Sequence, residues 1–273
     1  IMNSYSIQTL AGWLGKEAML AIPGTTTIHE ILYDSRRINN PSASLFVALV
    51  TSRNNGHRYI ANLIRQGVCN FLVQEKPDEI LRAQANFILV TDTRIALQKI
   101  AAHHRKQFEI PVLAITGSNG KTIVKEWLYE SLKDDFQVVR SPKSFNSQIG
   151  VPLSVWQISP SDQLAIIEAG ISAPSEMVTL QEIIQPTLGI FTNIGHAHTE
   201  NFPSVQVHVQ EKMKLFSQVK TLVCCADHSL IVEEARNQKI NSLTWGKNPA
   251  ADLRIVDEQI KGTGKQIQLV WQN

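Results

Sequence analysis

V-L-A-I-T-G-S-N-G-K-T, residues 112 to 122, decides how the rest of the chain is read. Val112, Leu113, Ala114 and Ile115 form the short apolar run of a buried parallel strand, and Gly117 and Gly120 break it. From Lys121 to Leu132, apolar residues at Val124, Trp127, Leu128 and Leu132 recur at the spacing of one helical face. Strand, glycine turn and helix start are therefore adjacent. Such a turn holds a phosphate. The free N–H groups of a helix N-terminus point outward, the helix dipole favours an anion, and glycine lets the backbone come close. In this reading Gly117, Ser118, Asn119, Gly120, Lys121 and Thr122 cradle ATP, with Lys121 on the β- and γ-phosphates and the Thr122 hydroxyl on Mg²⁺. The strict phosphate-loop spacing wants a further glycine at position 115, where this chain has Ile115. The competing reading is a plain glycine-rich turn with a surface lysine.

Composition sets the outer bounds. A chain of 273 residues has room for two domains. A hydrophobic fraction of 43% with 18% charged residues describes a soluble, globular protein. The net charge of +2 gives no electrostatic case for nucleic acid or for a membrane surface. The first fifteen residues lack the basic segment and apolar core of a signal peptide, and no window approaches the ~20 apolar residues of a membrane span. Cys69, Cys224 and Cys225 have no metal-type spacing, so a reducing cytoplasm is the expected location. A monomer is the favoured state, with the oligomeric state left open by the sequence.

Taken in order, residues 1–107 alternate strand-like and helix-like runs without a phosphate loop. Ile7 to Leu14 and Tyr59 to Gln66 read as helices; Leu45 to Val50, Phe71 to Val73 and Phe87 to Val90 read as strands. Asp34-Ser35-Arg36-Arg37 falls at a strand end before the turn Asn39-Asn40-Pro41, where a serine beside two arginines suits a phosphate and equally suits an exposed polar turn. Thr93 to Gln107 reads as a helix with Ile95, Leu97, Ile100 and Ala101 inward, and with His103 and His104 in a solvated last turn. Pro111 stops that helix, so a boundary is expected near 108, with a second domain over 108–273.

Beyond it, strand-like runs at 137–139, 164–167, 188–191 and 222–225 alternate with helical runs. This predicts an α/β fold with a mainly parallel sheet flanked by helices, and ligands beyond the C-terminal strand ends. From Asp252 onward, residues alternate around Gly262-Thr263-Gly264, as in an antiparallel hairpin on the edge of the main sheet. The strand over 164–167 runs into Glu168, whose carboxylate is placed to bind Mg²⁺ through oxygen. The strand over 188–191 leads into T-N-I-G-H-A-H, where His196 and His198 are candidate ligands for a metal or substrate and equally candidates for structural histidines.

Five ordered motifs, T-G-S-N-G-K-T (116–122), S-F-N-S-Q-I-G-V-P (144–152), I-E-A-G (167–170), T-N-I-G-H-A-H (192–198) and Q-E-K-M-K-L-F (210–216), together resemble the Mur ligases. Upstream, D-S-R (34–36), L-F-V-A-L (45–49), G-H (56–57) and V-T-D-T-R (90–94) resemble the member of that family that adds D-alanyl-D-alanine to UDP-N-acetylmuramoyl-tripeptide in peptidoglycan synthesis. The resemblance implies an N-terminal mixed α/β domain (1–107) for the UDP substrate and a phosphate-loop central domain (108–273) for ATP. It assigns Glu168 and His198 to metal, and Lys212 to the lysine that CO₂ carbamylates, able then to bind or orient metal. Lys121, Glu168, His198 and Lys212 are the implied catalytic set, Asn146 and Ser147 face the muramoyl-peptide, and Ser35 and Arg36 hold the UDP end. Where the family commonly has an N-A-D-like run, this chain has Cys225-Ala226-Asp227-His228, which leaves Asp227 for the ribose.

The implied reaction makes a poor acyl donor reactive. ATP phosphorylates a peptide carboxylate, ADP leaves, and an amine attacks the acyl-phosphate, with Mg²⁺ and fixed cations offsetting the gathering negative charge. The resemblance also implies that the chain stops inside the central domain, as an inactive fragment, and it admits a continuation into an alanine racemase. Two alternatives stay open: a sister ligase or folylpolyglutamate synthetase, and a module that binds a UDP-sugar or nucleotide without chemistry.

Overall fold

The computed structural model describes residues 4–22, 27–195, 201–262 and 264–272. The chain divides into two compact units, one made of 1–108 with 155–161 and the other of 109–154 with 162–273.

The first unit contains β1 (Tyr5–Ser6), α1 (Ile7–Trp13), β2 (Ala18–Met19), β3 (Thr27–Ile28), β4 (Glu30–Leu32), β5 (Ser44–Val47), α2 (Ile60–Arg65), β6 (Asn70–Val73), α3 (Glu79–Arg82), β7 (Asn86–Leu89) and α4 (Thr93–Arg105). β1 and β3 form an antiparallel ribbon, and the main sheet has the order β2-β7-β6-β5-β4, parallel except for β2. β5 and β6 are buried along their whole length, as sheet-interior strands rich in Phe, Leu and Val must be.

Helix α4 corrects the sequence reading at two points. Leu97, Ile100 and Ala101 are buried, but Ile95 is 46% exposed, because it lies on the opposite side of the helix from them at about 100° per residue. His104 is fully buried instead of solvated. It shares the stripe of Ile100 and Ala101, its Nδ1 meets the Tyr5 hydroxyl at 2.9 Å, and its Nε2 meets the Ile158 carbonyl at 3.0 Å. His103 is half-buried and stacks on Trp13, with ring centroids 5.6 Å apart.

The second unit contains β8 (Val112–Thr116), α5 (Lys121–Leu132), β9 (Val138–Arg140), α6 (Gly150–Val155, all but its last residue), β10 (Leu164–Glu168), α7 (Glu176–Ile184), β11 (Leu188–Phe191), α8 (Val205–Met213), β12 (Thr221–Cys225), α9 (Ser229–Asn237), β13 (Ser242–Gly246), β14 (Leu253–Lys261) and β15 (Gly264–Trp271). The sheet order is β15-β14-β13-β12-β11-β8-β10-β9. All neighbours are parallel except the β14–β15 hairpin, which sits on the edge as the alternating sequence predicts. β8 is buried at all five residues, and its neighbours β10 and β11 leave the sheet in sequence on opposite sides of it. That reversal opens a crevice at the strand C-termini.

Helix α5 packs Val124, Leu128 and Tyr129 on Leu113, Ile115 and Ile166. Trp127 is the exception to the expected apolar face: it is 71% exposed, more than about 100° around the helix from the Lys121, Lys125, Leu128 and Leu132 stripe.

Burial pulls the His104 imidazole down to about 4. Between its unfolded value near 6.5 and its folded value, the unfolded chain binds more protons, so acidification costs stability in that window. Urea denaturation of the first unit should show a loss approaching about 3 kcal/mol between pH 7 and pH 4, and His104→Gln should flatten that slope.

Candidate functional site

The turn after β8 is built by close approach. Gly117 has φ of 146°, and a Cβ on it would stand 2.0 Å from Thr192 Oγ1. Gly120 takes the left-handed conformation, φ 80°, as the N-cap of α5. No residue with a Cβ sits comfortably in either place. The 193–195 segment after β11 braces the turn from the side. Ser118 N–H donates to the Asn193 carbonyl at 2.9 Å, Asn119 N–H to Asn193 Oδ1 at 3.1 Å, and Gly195 N–H to Ser118 Oγ at 3.0 Å. Two of the loop N–H groups expected to point outward are thus engaged by Asn193.

Two lysines converge on the same loop carbonyl. Lys121 Nζ donates to Gly117 O at 2.8 Å and lies 3.4 Å from Ser118 O, while Lys212 Nζ, from α8, donates to Gly117 O at 3.4 Å. Burial lowers the Lys121 ammonium pKa, with Glu168 opposing the shift. Lys212 is 2% exposed. Burial first, and then the charge of Lys121, bring it down to about 7. It is therefore no solvated helix lysine; Lys214, two residues on, is the exposed one and pairs with Glu211 at 2.5 Å.

Glu168 ends β10 opposite Ile115 of β8, which puts its carboxyl beside the loop. It is 1% exposed and held on every side. Its N–H donates to Ser141 Oγ at 3.1 Å, Asn146 Nδ2 donates to Oε1 at 2.6 Å, and the Thr122 hydroxyl donates to Oε2 at 2.8 Å. Lys125 Nζ is 3.8 Å from Oε2. A hydroxyl and a buried carboxylate side by side form an oxygen-only donor set, the kind a magnesium ion takes when phosphate and water complete its shell. Among the described residues no three His, Cys, Asp or Glu gather as a metal cage.

Of the other candidates, Asn146 belongs to this cluster, whereas Ser147 accepts from Gly150 N–H at 3.2 Å and shapes the start of α6. His196 and His198 lie outside the described residues. Asp227 stands just past the end of β12, where its carboxylate accepts from Lys247 N–H at 2.9 Å and Asn248 N–H at 2.7 Å. Ser35 and Arg36 line a cavity of about 480 Å³ in the first unit, together with Tyr33, Thr51 and Asn54. Arg36 is tied to Asp34 by two bonds of 2.8 Å and holds that carboxyl down to about 2.

Sequence reasoning missed Lys125, Glu126, Asn193 and Thr192. Lys125 had a signal: it stands four residues after Lys121 and between Val124 and Leu128 on the helical face that packs on the sheet, where a buried lysine needs a carboxylate. Nothing in one sequence pairs Asn193 with the loop.

A glycine loop at a sheet crossover, with an acidic strand end beside the first turn of the next helix, defines an α/β protein of the phosphate-loop class. The description "Mur ligase middle domain" matches residues 115–273, and "Mur ligase family, catalytic domain" matches residues 27–105. The chain belongs to the Mur ligase family. It is 32% identical over 223 residues to a UDP-N-acetylmuramoyl-tripeptide--D-alanyl-D-alanine ligase of Synechocystis, covering 80% of this chain and 48% of the relative. Among solved structures, MurF of Acinetobacter baumannii superposes with a TM-score of 0.88 at 24% identity, over 98% of this chain and 58% of that one. MurF of Thermotoga maritima, solved in complex with ADP, gives 0.78 at 26% identity over 88% and 55%. The chain spans about half the length of the curated relatives it matches.

Gly117→Ala should destabilise the second unit by about 2 kcal/mol, because the new methyl must displace Thr192 and the loop with it. Urea unfolding of the variant against wild type measures this.

Proposed function

We propose that this chain carries the UDP-substrate and ATP domains of an ATP-dependent ligase that joins D-alanyl-D-alanine to UDP-N-acetylmuramoyl-tripeptide in cytoplasmic peptidoglycan synthesis. The observation that carries the reading is the convergence of Lys121, Lys212, Thr122 and Glu168 on one glycine loop. The names of the relatives supply the substrates.

In this reading, residues 1–107 hold the UDP end in the cavity beside Ser35 and Arg36, and residues 108–273 hold the nucleotide. The loop 117–122 takes the phosphates, and Asp227 stands at a strand end suited to the ribose. Magnesium, held by Thr122, Glu168, His198 and a carbamylated Lys212, would supply Lewis-acid stabilisation of phosphate charge. The residues of this chain do the remainder. Lys121 swings from the Gly117 carbonyl to the transferring phosphoryl oxygens, offsetting charge as the peptide carboxylate displaces ADP. Asn146 keeps Glu168 aimed and stands near the acyl end of the muramoyl-peptide with Ser147. The D-alanyl-D-alanine amine then displaces phosphate from the acyl-phosphate.

Lys212 suits carbamylation because only a neutral amine attacks CO₂, and a lysine brought to about 7 is substantially neutral at cellular pH. Labelled bicarbonate should give a carbamate carbon resonance whose intensity rises through pH 7, and Lys212→Arg should lack it. The ligase reading itself is tested by ADP release from ATP and the UDP-tripeptide in the complete enzyme. Release should require D-alanyl-D-alanine, not diaminopimelate or lysine, and should fall by about 10³ or more in Lys121→Ala. Near-normal turnover in that variant overturns the assignment.

A further inference from the structure

Lys125 has no part in the chemistry above, yet it is fully buried, an expensive place for an ammonium. It is the third member of an alternating row of four charges. Arg140, with its guanidinium 3.4 Å above the Tyr129 ring, donates through Nε to Glu126 Oε2 at 2.9 Å. Glu126 Oε1 is 3.2 Å from Lys125 Nζ, and Lys125 Nζ is 3.8 Å from Glu168 Oε2. Lys125 also donates to the carbonyl of Lys143, a residue held at φ 49° in the left-handed region. The side chains are 29%, 38%, 0% and 1% exposed in that order, so the row runs from the surface edge to the dry strand end.

We propose that Lys125 is the resident counter-cation of Glu168: it keeps the carboxylate compensated and aimed while no metal is present, and magnesium enters by competing with it. The inference rests on the nucleotide-site reading above, in which Thr122 and Glu168 face the ion. Oε2 is the oxygen that Thr122 and Lys125 share, so a cation arriving there meets the field of Lys125 directly. Glu126 sets the strength of that field, because it draws the ammonium at 3.2 Å while Glu168 draws it at 3.8 Å. Lys125 is thus a positioning residue that acts through Glu168, and it raises the magnesium concentration the site requires.

The geometry makes two predictions of opposite sign. In calorimetric titrations of the 273-residue chain with ADP over a series of free Mg²⁺ concentrations, Lys125→Met should half-saturate at about tenfold lower Mg²⁺, since a buried carboxylate stripped of its nearest cation takes up another more strongly. Its melting temperature should be below wild type in EDTA and recover more than wild type does on adding Mg²⁺. Glu126→Gln frees Lys125 to lean on Glu168 and should raise the half-saturating Mg²⁺ about threefold, with ADP affinity in EDTA unchanged. A packing role alone would weaken Mg²⁺ binding in Lys125→Met and leave Glu126→Gln unaffected. Either of those results overturns the proposal, and should Lys125→Met not fold, the Glu126→Gln titration decides. Absence of any Mg²⁺-dependent ADP binding in wild type overturns the nucleotide reading itself; binding in wild type without the two shifts overturns this inference alone.

Discussion

The carboxylate of Glu168 is a charge almost wholly removed from water, and the second unit is arranged to make that tolerable. An ionised group transferred to such surroundings without partners is unstable by several kcal/mol or more. Here Asn146 takes one oxygen, Thr122 and Lys125 the other, and Ser141 fixes the backbone N–H. Those partners come from the α5 helix, the loop after β9 and the end of β9, so the carboxylate ties together segments that are distant in sequence. Parallel pairing of β8 with β10 sets the whole cluster at one end of the sheet, beside the loop.

The same physics explains why the loop is glycine-rich. Gly117 lets the β8 turn pass within contact of Thr192, and the segment after β11 then braces Ser118 and Asn119. Three neighbouring strand ends contribute to one small volume: β8 the loop, β10 the carboxylate, β11 the brace. A phosphate turn at the edge of the sheet would have only one neighbour. Lys212, delivered by α8, reaches the loop carbonyl that Lys121 also uses. Two ammonium groups on one acceptor repel each other, and burial favours their neutral forms. The more buried of the two is the one whose affinity for a proton falls to about 7.

Much of this was legible in the sequence because it rests on local patterns. The apolar run, the glycines and the helical spacing located β8, the turn and α5; alternation located the β14–β15 hairpin on the sheet edge. Glu168 was legible because it follows a buried run at a strand end. What failed was the identity of helix faces. Trp127 and Ile95 were placed inward for being apolar, and His104 outward for being polar, although the spacing of the buried neighbours said the reverse in each case. An apolar side chain at the surface costs little, so hydrophobicity alone is weak evidence about a single position. Contacts such as Asn193 with the loop have no local signature at all. They arise only once β11 pairs with β8.

Lys125 shows the limit of that local logic most clearly. On α5, Lys125 is fully buried within a turn of Val124 and Leu128, which pack on the sheet. Pattern alone would count it as a defect in an amphipathic helix. The row Arg140, Glu126, Lys125, Glu168 turns it into a neutral array, each charge flanked by its opposite, and the array ends at the carboxylate beside the glycine loop. A hydrophobic residue at position 125 would take the nearest cation from Glu168 and leave it the more distant Lys121 alone. An ammonium there is desolvated, and what offsets that cost is its attraction to the two carboxylates on either side of it.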